Sequence, residues 1–552
     1  MTISLFTSKF QNHTRQFTCL VFFLFSMLLF AASLSHAAAT SPVDAKQDDA
    51  VTEELFSVII QKTQKRAGRS FHSEEARTPD FLRSLTEAQW RGIQFNPEQS
   101  PWRKKPLLFD IALHHPGFIY NRNVIINLVE GDSISALPFS PGMFTHNNKA
   151  LASKTSQDPP GFAGFRIMYP LNSATSNESI ASFLGASYFN GIGKYARQGV
   201  HARGLAVNTA LPVGEEIPYF REFWIVTPKP DDTSITLYAM LDAPNLTGAY
   251  RYRITPGTST VMDVEARLFR RKDSAWPQKI GITPLTSMFL YSETDNGKPG
   301  DYRPEVHNSD GLLFSTGQKV WSWVPLANAS RLAVNTFPME TPHGFGLMQR
   351  DAEFDHYQDI ANRFDRKSSV WVEPQGDWGA GRIELIQIPS SGEIHDNITA
   401  FWVPDSLAPD AATTKPESIS FAYKLYWMTP GVTPHDLGRV TATRLIKNDE
   451  TARFFIDFES EALKNLPGDV GLTSVVEAPE NAPISDKQLT KNPATGGWRL
   501  TFTAKLPRQD GVVQSIISAR EGSARLRFRA LLKKGENLPD PLTEAWIYDL
   551  PL

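Results

Sequence analysis

The chain has 552 residues, 41% of them hydrophobic and 21% charged, with a formal net charge of −3. That length supports two or three domains with real cores, and the composition excludes a disordered chain. The mild acidity, without basic blocks, excludes nucleic acid as an electrostatic partner.

Residues 1–39 read as a secretory signal peptide. Lys9 and Arg15 precede an apolar run, Phe17 to Ala32, and small residues follow it. The run is short for a membrane span of about 20 residues. Cleavage after Ala37 or Ala39 is expected, with no membrane span left afterwards. No Arg-Arg pair precedes the run, so the general secretory route is expected. Cys19 is the one cysteine and lies in this segment, so the mature chain has no thiol chemistry. Losing Lys9 and Arg15 leaves 54 Lys and Arg against 59 Asp and Glu, a net charge of −5.

Residues 51–68 carry apolar residues at helical spacing and end on Gly68, which predicts a helix; residues 80–93 predict a shorter second one. Beyond them come short runs of β-branched and aromatic residues separated by Pro, Gly, Asn and Asp, such as NVIINLVEG, SITLYAML and RIELIQIP. Many short strands without interleaved helices predict an all-β chain of antiparallel sandwiches. A Pro-, Ala- and Thr-rich stretch at 404–417 reads as a linker. It would divide a large β-sandwich (40–403) from a smaller domain (418–552). In the smaller domain, period-two alternation at Ile419, Phe421, Tyr423, Leu425 and Trp427, and at Leu526, Phe528 and Ala530, suits an immunoglobulin-like β-sandwich.

No metal constellation stands out: the His114-His115 pair points to opposite faces of a strand, and no metal or other cofactor is expected. Two polar stretches invite a catalytic reading. In YRPEVHNSDG (302–311) the Asp-Gly end suits a hairpin turn, and Asn308 and Asp310 compete for any chemistry. In GEIHDNITAFW (392–402) Asp396 stands where a loop meets a strand. Six of the twelve tryptophans fall between 321 and 427, interleaved with acids, a combination suited to sugar faces and glycosidic bonds.

Longer words carry a resemblance. FAGFRIMYPLN (162–172), FLGASYF (183–189), YRPEVHNSDGL (302–312), GFGLMQRDAEF (344–354), WVEPQGDWGAGRIELIQIP (371–389) and TEAWIYDLP (543–551) resemble the periplasmic glucan biosynthesis family of MdoG/OpgG type. The absent twin-arginine leader is closer to its G branch than to its D branch. The resemblance implies a galactose-mutarotase-like large sandwich joined to the immunoglobulin-like one, a periplasmic location in a Gram-negative bacterium, and a role in making osmoregulated glucans with a β-1,2-linked backbone. It implies β-1,2-glucan as ligand and the inner-membrane glucan synthase as a further partner. It also implies inverting hydrolysis or chain transfer, with Asp396 as general acid.

The family's general base is an Asp at the position of Asn308, and an amide cannot take the proton from water. Either Asp310 replaces it, since inverting carboxylates stand about 6.5–9.5 Å apart, or the chain transfers, cleaves weakly, or only binds and presents glucan. Expected sugar contacts are stacking by Trp371, Trp378 and Tyr357 and polar contacts from Arg350, Glu393 and His307. Trp402 is expected to form an apolar wall that raises the pKa of Asp396.

Overall fold

The computed structural model describes residues 42–551 except 73–77, 158–159, 296, 318–319, 412–415, 469–470, 508–524 and 536–540. The signal peptide with Cys19, and part of the 404–417 linker, lie outside the described residues.

The chain divides into a short unit ending at Val58 and a compact unit, Ile59–Leu552. The first predicted helix runs Pro42–Ala67, longer than the apolar periodicity indicated; the second is two short pieces, Asp80–Arg83 and Glu87–Arg91. A capping box at Thr86 and Gln89 starts the last of these. The rest is dominated by strands, 47% of the chain against 11% helix, so the all-β reading holds.

Within the compact unit two large sheets face each other. The ten-stranded sheet includes Asp110–His114, Ile280–Ser287, Ile398–Pro404, Gly381–Gln387 and Ala333–Met339. The fourteen-stranded sheet runs from Leu472–Glu477 through Arg525–Lys534, Ala545–Pro551, Val320–Pro325, Gly311–Gly317, Gly344–Met348, Ser369–Gln375, Ser418–Met428 and Thr260–Arg270, and on to an edge at Ser133–Ala136. Alternating positions of both sheets supply the first core: Ile282, Leu285, Ile383 and Trp402 come from one, and Leu312, Leu347, Val370 and Leu425 from the other.

The strand Ser418–Met428, expected to open the second sandwich, pairs instead with Thr260–Arg270 on one side and Ser369–Gln375 on the other. The alternating row Phe421, Tyr423, Leu425 and Trp427 faces inward but belongs to the first core. Alternation identifies a buried face without identifying which sheet lies against it.

A second core follows. A four-stranded sheet, Arg439–Lys447, Thr451–Glu459, Trp498–Lys505 and Ile484–Lys491, packs against the C-terminal strands through Phe454, Phe502, Phe528 and Trp546. The strand Ala545–Pro551 pairs in parallel with Val320–Pro325, joining the second sandwich to the large sheet through backbone hydrogen bonds. Leu313, Trp323 and Met348, on the outer face of that sheet, belong to the second core.

Candidate functional site

The stretch 302–311 is not a hairpin. Val306–His307 pairs with Phe289–Tyr291, whereas Gly311–Gly317 pairs with Val320–Pro325 and Gly344–Met348. Backbone bonds hold the passage between them: Asn308 N to Met288 O (2.8 Å) and Asp310 N to Met348 O (2.9 Å). Gly311 serves packing rather than a turn, because a Cβ there would lie 2.1 Å from the Trp323 ring.

His307 is fully buried between the stacked ring of Phe289 (5.5 Å) and the edge-on ring of Tyr357 (5.2 Å). Its Nε2 faces Glu305 (3.0 Å) and its Nδ1 faces Gln349 Oε1 (3.0 Å). The Gln349 amide nitrogen donates to Tyr357 Oη and to the Phe364 carbonyl, both at 2.9 Å, which turns its oxygen toward the imidazole. Burial opposes the charged ring, but the Glu305 hydrogen bond and charge outweigh it, and the pKa of His307 rises to about 9. It is a buried cation in a closed network, so the expected sugar contact is not available to it. Tyr357 is likewise fully buried.

Asp310 has one bonded and one unbonded oxygen. Oδ2 accepts the backbone N–H groups of Arg350 (2.9 Å) and Asp351 (3.1 Å). Oδ1 is inaccessible and has no partner among the described residues, and the same holds for Asn308 Oδ1. Burial pushes the Asp310 carboxyl up to about 6, against the charges of His307 and Arg350. Glu293 stands nearby, raised to about 7 by burial first and then by the charge of Glu305.

Asp396 is built from the other direction. Its neighbour Asn397 pins the loop, accepting Phe289 N–H (2.8 Å) and donating to the carbonyls of Phe289 (2.9 Å) and Ile388 (3.1 Å). This places Asp396 Oδ2 2.7 Å from Thr286 Oγ1, which donates to it, and 3.2 Å from His201 Nδ1. Burial acts to raise the carboxyl. The charge of His201, the hydrogen bonds from His201 and Thr286, and the charge of His395 together outweigh it, so Asp396 is held below the usual carboxylate range. This corrects the expectation that Trp402 raises it: Trp402 is fully buried in the first core.

The structure ties the two stretches together. Arg303 bonds Asp301 (2.7 Å), Asp359 (2.9 Å) and Glu393 (2.6 Å), fastening the loop of Asp396 to the segment of His307. Ser309 and Ser287 share a hydrogen bond of 2.7 Å, and Phe289 bridges Asn397 and His307. Thr286 and Ser287 are consecutive on one strand, so their side chains point to opposite faces. Asp396 therefore meets that strand at Thr286 and Ser309 meets it at Ser287, one residue apart.

The other predicted contacts separate. Arg350 is buried and spent on Glu544, with its guanidinium 3.6 Å from the centre of the Trp323 ring. Glu393 is partly exposed and paired with Arg303. Trp378 is buried and donates to the Ala422 carbonyl (3.1 Å). Trp371 packs at 5.2 Å against Trp321 on the outer face of the large sheet, away from Asp396. Trp378 and Trp402 are enclosed in the first core and cannot stack on a sugar.

Sequence reasoning missed His201, Thr286, Glu305, Gln349 and Arg303. His201 lies 195 positions before Asp396, and nothing local to either marks the pair. Among the described residues one group of potential metal ligands also escaped it: Glu305, Asp351 and His356 each bring a ligand atom within 4.8 Å of the others. Those atoms already serve as ion pairs, His356 with Asp351 (2.5 Å) and Glu305 with His307.

These features define an all-β protein whose large sandwich carries a polar site of carboxylates and imidazoles fixed by neighbouring strands. The chain belongs to the periplasmic glucan biosynthesis family: residues 55–550 match the description "Periplasmic glucan biosynthesis protein, MdoG". It is similar to a protein of Pseudomonas paraeruginosa described as "Glucans biosynthesis protein G", with 37% identity over 542 residues, covering 95% of this chain and 96% of that one. A solved Paenibacillus xanthan lyase is a distant match, with 7% identity and a TM-score of 0.15 over 73% of this chain and 36% of that one, too low to inform the fold. The family places the protein in the periplasm, and no helix among the described residues is long and apolar enough to cross a membrane.

Proposed function

We propose that this protein binds the β-1,2-linked backbone of a periplasmic glucan during its synthesis and holds the chain without hydrolysing it. The carrying observation is the state of the two groups that inverting hydrolysis would need. Asn308 occupies the position that the family resemblance gives to the base, and an amide cannot activate water. Asp396, bonded to His201 and Thr286, is held below the usual carboxylate range and is therefore a poor resting proton donor. What remains is a partly exposed set of polar groups, Asp396, His201 and Glu393, suited to holding hydroxyls.

The partner that delivers the chain is the inner-membrane glucan synthase, and residues 1–39 direct export by the general secretory route. The smaller sandwich, beginning after Met428, presents the protein face of this assembly. Isothermal titration with linear β-1,2-glucan tests the binding claim. Saturable binding by the wild type that weakens in His201→Ala and Glu393→Ala supports it; no binding, or binding unchanged in both variants, overturns it.

A second reading, hydrolysis with Asp310 as base, is favoured by one feature: its Oδ1 is unpartnered and its carboxyl is raised to about 6, a value suited to proton transfer near neutrality. The same oxygen is sealed from solvent, which leaves no water for it to activate. Cleavage abolished by Asp310→Asn would establish this reading.

A further inference from the structure

We propose that a groove on the outer face of the fourteen-stranded sheet is a second carbohydrate site, taking a short segment of neutral glucan chain. This rests on the reading above that the protein's ligand is a glucan.

The groove follows from strand alternation. Residues Leu312, Leu347, Val370 and Leu425 point into the first core, so their immediate neighbours point outward. The outward set contains Trp321, Ser315, Trp371, Glu373 and Tyr426, brought side by side by the register pairs Ser315 with Trp321 and Trp371 with Tyr426. Between these lies the strand Gly344–Met348, whose outward positions 344 and 346 are glycine. A Cβ at Gly344 would stand 2.2 Å from the Trp371 ring, and one at Gly346 would stand 2.2 Å from the Val370 carbonyl. The absent side chains let the indole lie down on the sheet and leave a furrow with aromatic walls. The cavity measures about 710 Å³, within the range of small-molecule sites.

Its chemistry selects the ligand. Trp321 and Tyr426 pack against the second core but are only partly buried, and both line the cavity. Beside them the Glu373 carboxylate accepts from Tyr426 Oη (3.3 Å) and Gln375 Nε2 (3.0 Å), and His343 stands exposed at the rim. Aromatic faces suit the C–H face of a pyranose, and a carboxylate and an imidazole suit its hydroxyls. A lipid would leave the carboxylate unmatched, and a phosphate would be repelled by it.

The groove is separate from the Asp396 site. Asp396 bonds Thr286 on a strand of the ten-stranded sheet, whereas the groove lies on the far side of the other sheet. The strand Gly344–Met348 runs from the groove floor to Met348, whose carbonyl receives the Asp310 N–H. One long glucan could occupy both sites, and a short one would fill each independently.

The test uses the full mature chain and a β-1,2-linked gluco-oligosaccharide of defined short length, followed by isothermal titration. The wild type binds two equivalents. Trp321→Ala and Glu373→Gln each bind one, and His201→Ala retains the equivalent lost from those two. Glu373→Gln alters a side chain at the groove's surface and keeps the fold, which covers the case in which removing Trp321 from its contacts with Trp371 and His435 unfolds the region. One equivalent in the wild type, unchanged by both groove variants but lost in His201→Ala, overturns the second site and leaves the first standing. No binding at all overturns the glucan reading itself. Groove variants that keep two equivalents overturn the proposal and leave the groove to a peptide partner.

Discussion

Replacing Glu544 by Gln cuts at the joint between the two sandwiches. The carboxylate is fully buried and accepts Arg350 Nη1 and Nη2 (2.5 and 2.8 Å), Val440 N (2.8 Å) and His435 Nε2 (3.0 Å). Burial alone would raise its pKa; Arg350 and His435 outweigh burial and hold it at about 2, against an ordinary 4.5. A drop of that size corresponds to roughly 3 kcal/mol at about 1.4 kcal/mol per unit. Breaking a buried pair costs about 3–5 kcal/mol, because the surviving charge is left uncompensated. The folded value lies below the unfolded one, so this stability is present in full above about pH 4.5 and fades as pH falls toward 2.

Urea unfolding followed by tryptophan fluorescence reads the effect. Glu544→Gln is expected to lose about 3 kcal/mol at pH 7, and the gap should narrow between pH 5 and pH 3. Arg350→Met combined with Glu544→Leu should recover much of the loss, since a packed apolar pair needs no desolvation of charge. A loss under about 1 kcal/mol at pH 7, or a gap that does not change with pH, would refute the reasoning.

Two further outcomes follow from the same geometry. Glu293, raised to about 7 by burial and by Glu305, is strained when ionised; its folded pKa exceeds the unfolded one, so its ionisation removes stability as pH rises through that window. Glu293→Gln, which keeps an oxygen for the Thr443 N–H, should stabilise the protein by about 1–3 kcal/mol at pH 8 and by almost nothing at pH 4, as thermal melts at the two values would show. Gly344→Ala should destabilise by about 1–3 kcal/mol, because its methyl would meet the Trp371 ring at 2.2 Å and the Val372 carbonyl at 2.7 Å; unchanged melting would mean that the ring moves aside freely.

Much of the fold could be read from the chain because alternation is a local property. Phe421, Tyr423, Leu425 and Trp427 announce a buried strand face, and Leu526, Phe528 and Ala530 do the same. Which face meets which sheet is not local, and the strand Ser418–Met428 was therefore assigned to the wrong partners. The same limit applies to the site. Asp396 and Asn308 were found through family words, but their working state depends on His201, Thr286 and the His307 network, assembled from distant segments. Trp371, Trp378 and Trp402 misled because ring and acid content does not reveal which rings are enclosed.

The central claim is that the chain holds β-1,2-glucan without cutting it, for want of a base at position 308, where the side chain is partly exposed although its Oδ1 is sealed. The direct measurement is the chain-length distribution of linear β-1,2-glucan after prolonged incubation with the wild type, Asn308→Asp and Asn308→Asp/Asp396→Asn. The account predicts an unchanged distribution with the wild type, shortened chains with Asn308→Asp most readily at acidic pH, where Asp396 regains its proton, and none with the double variant. Shortened chains from the wild type that disappear in Asp396→Asn would contradict it.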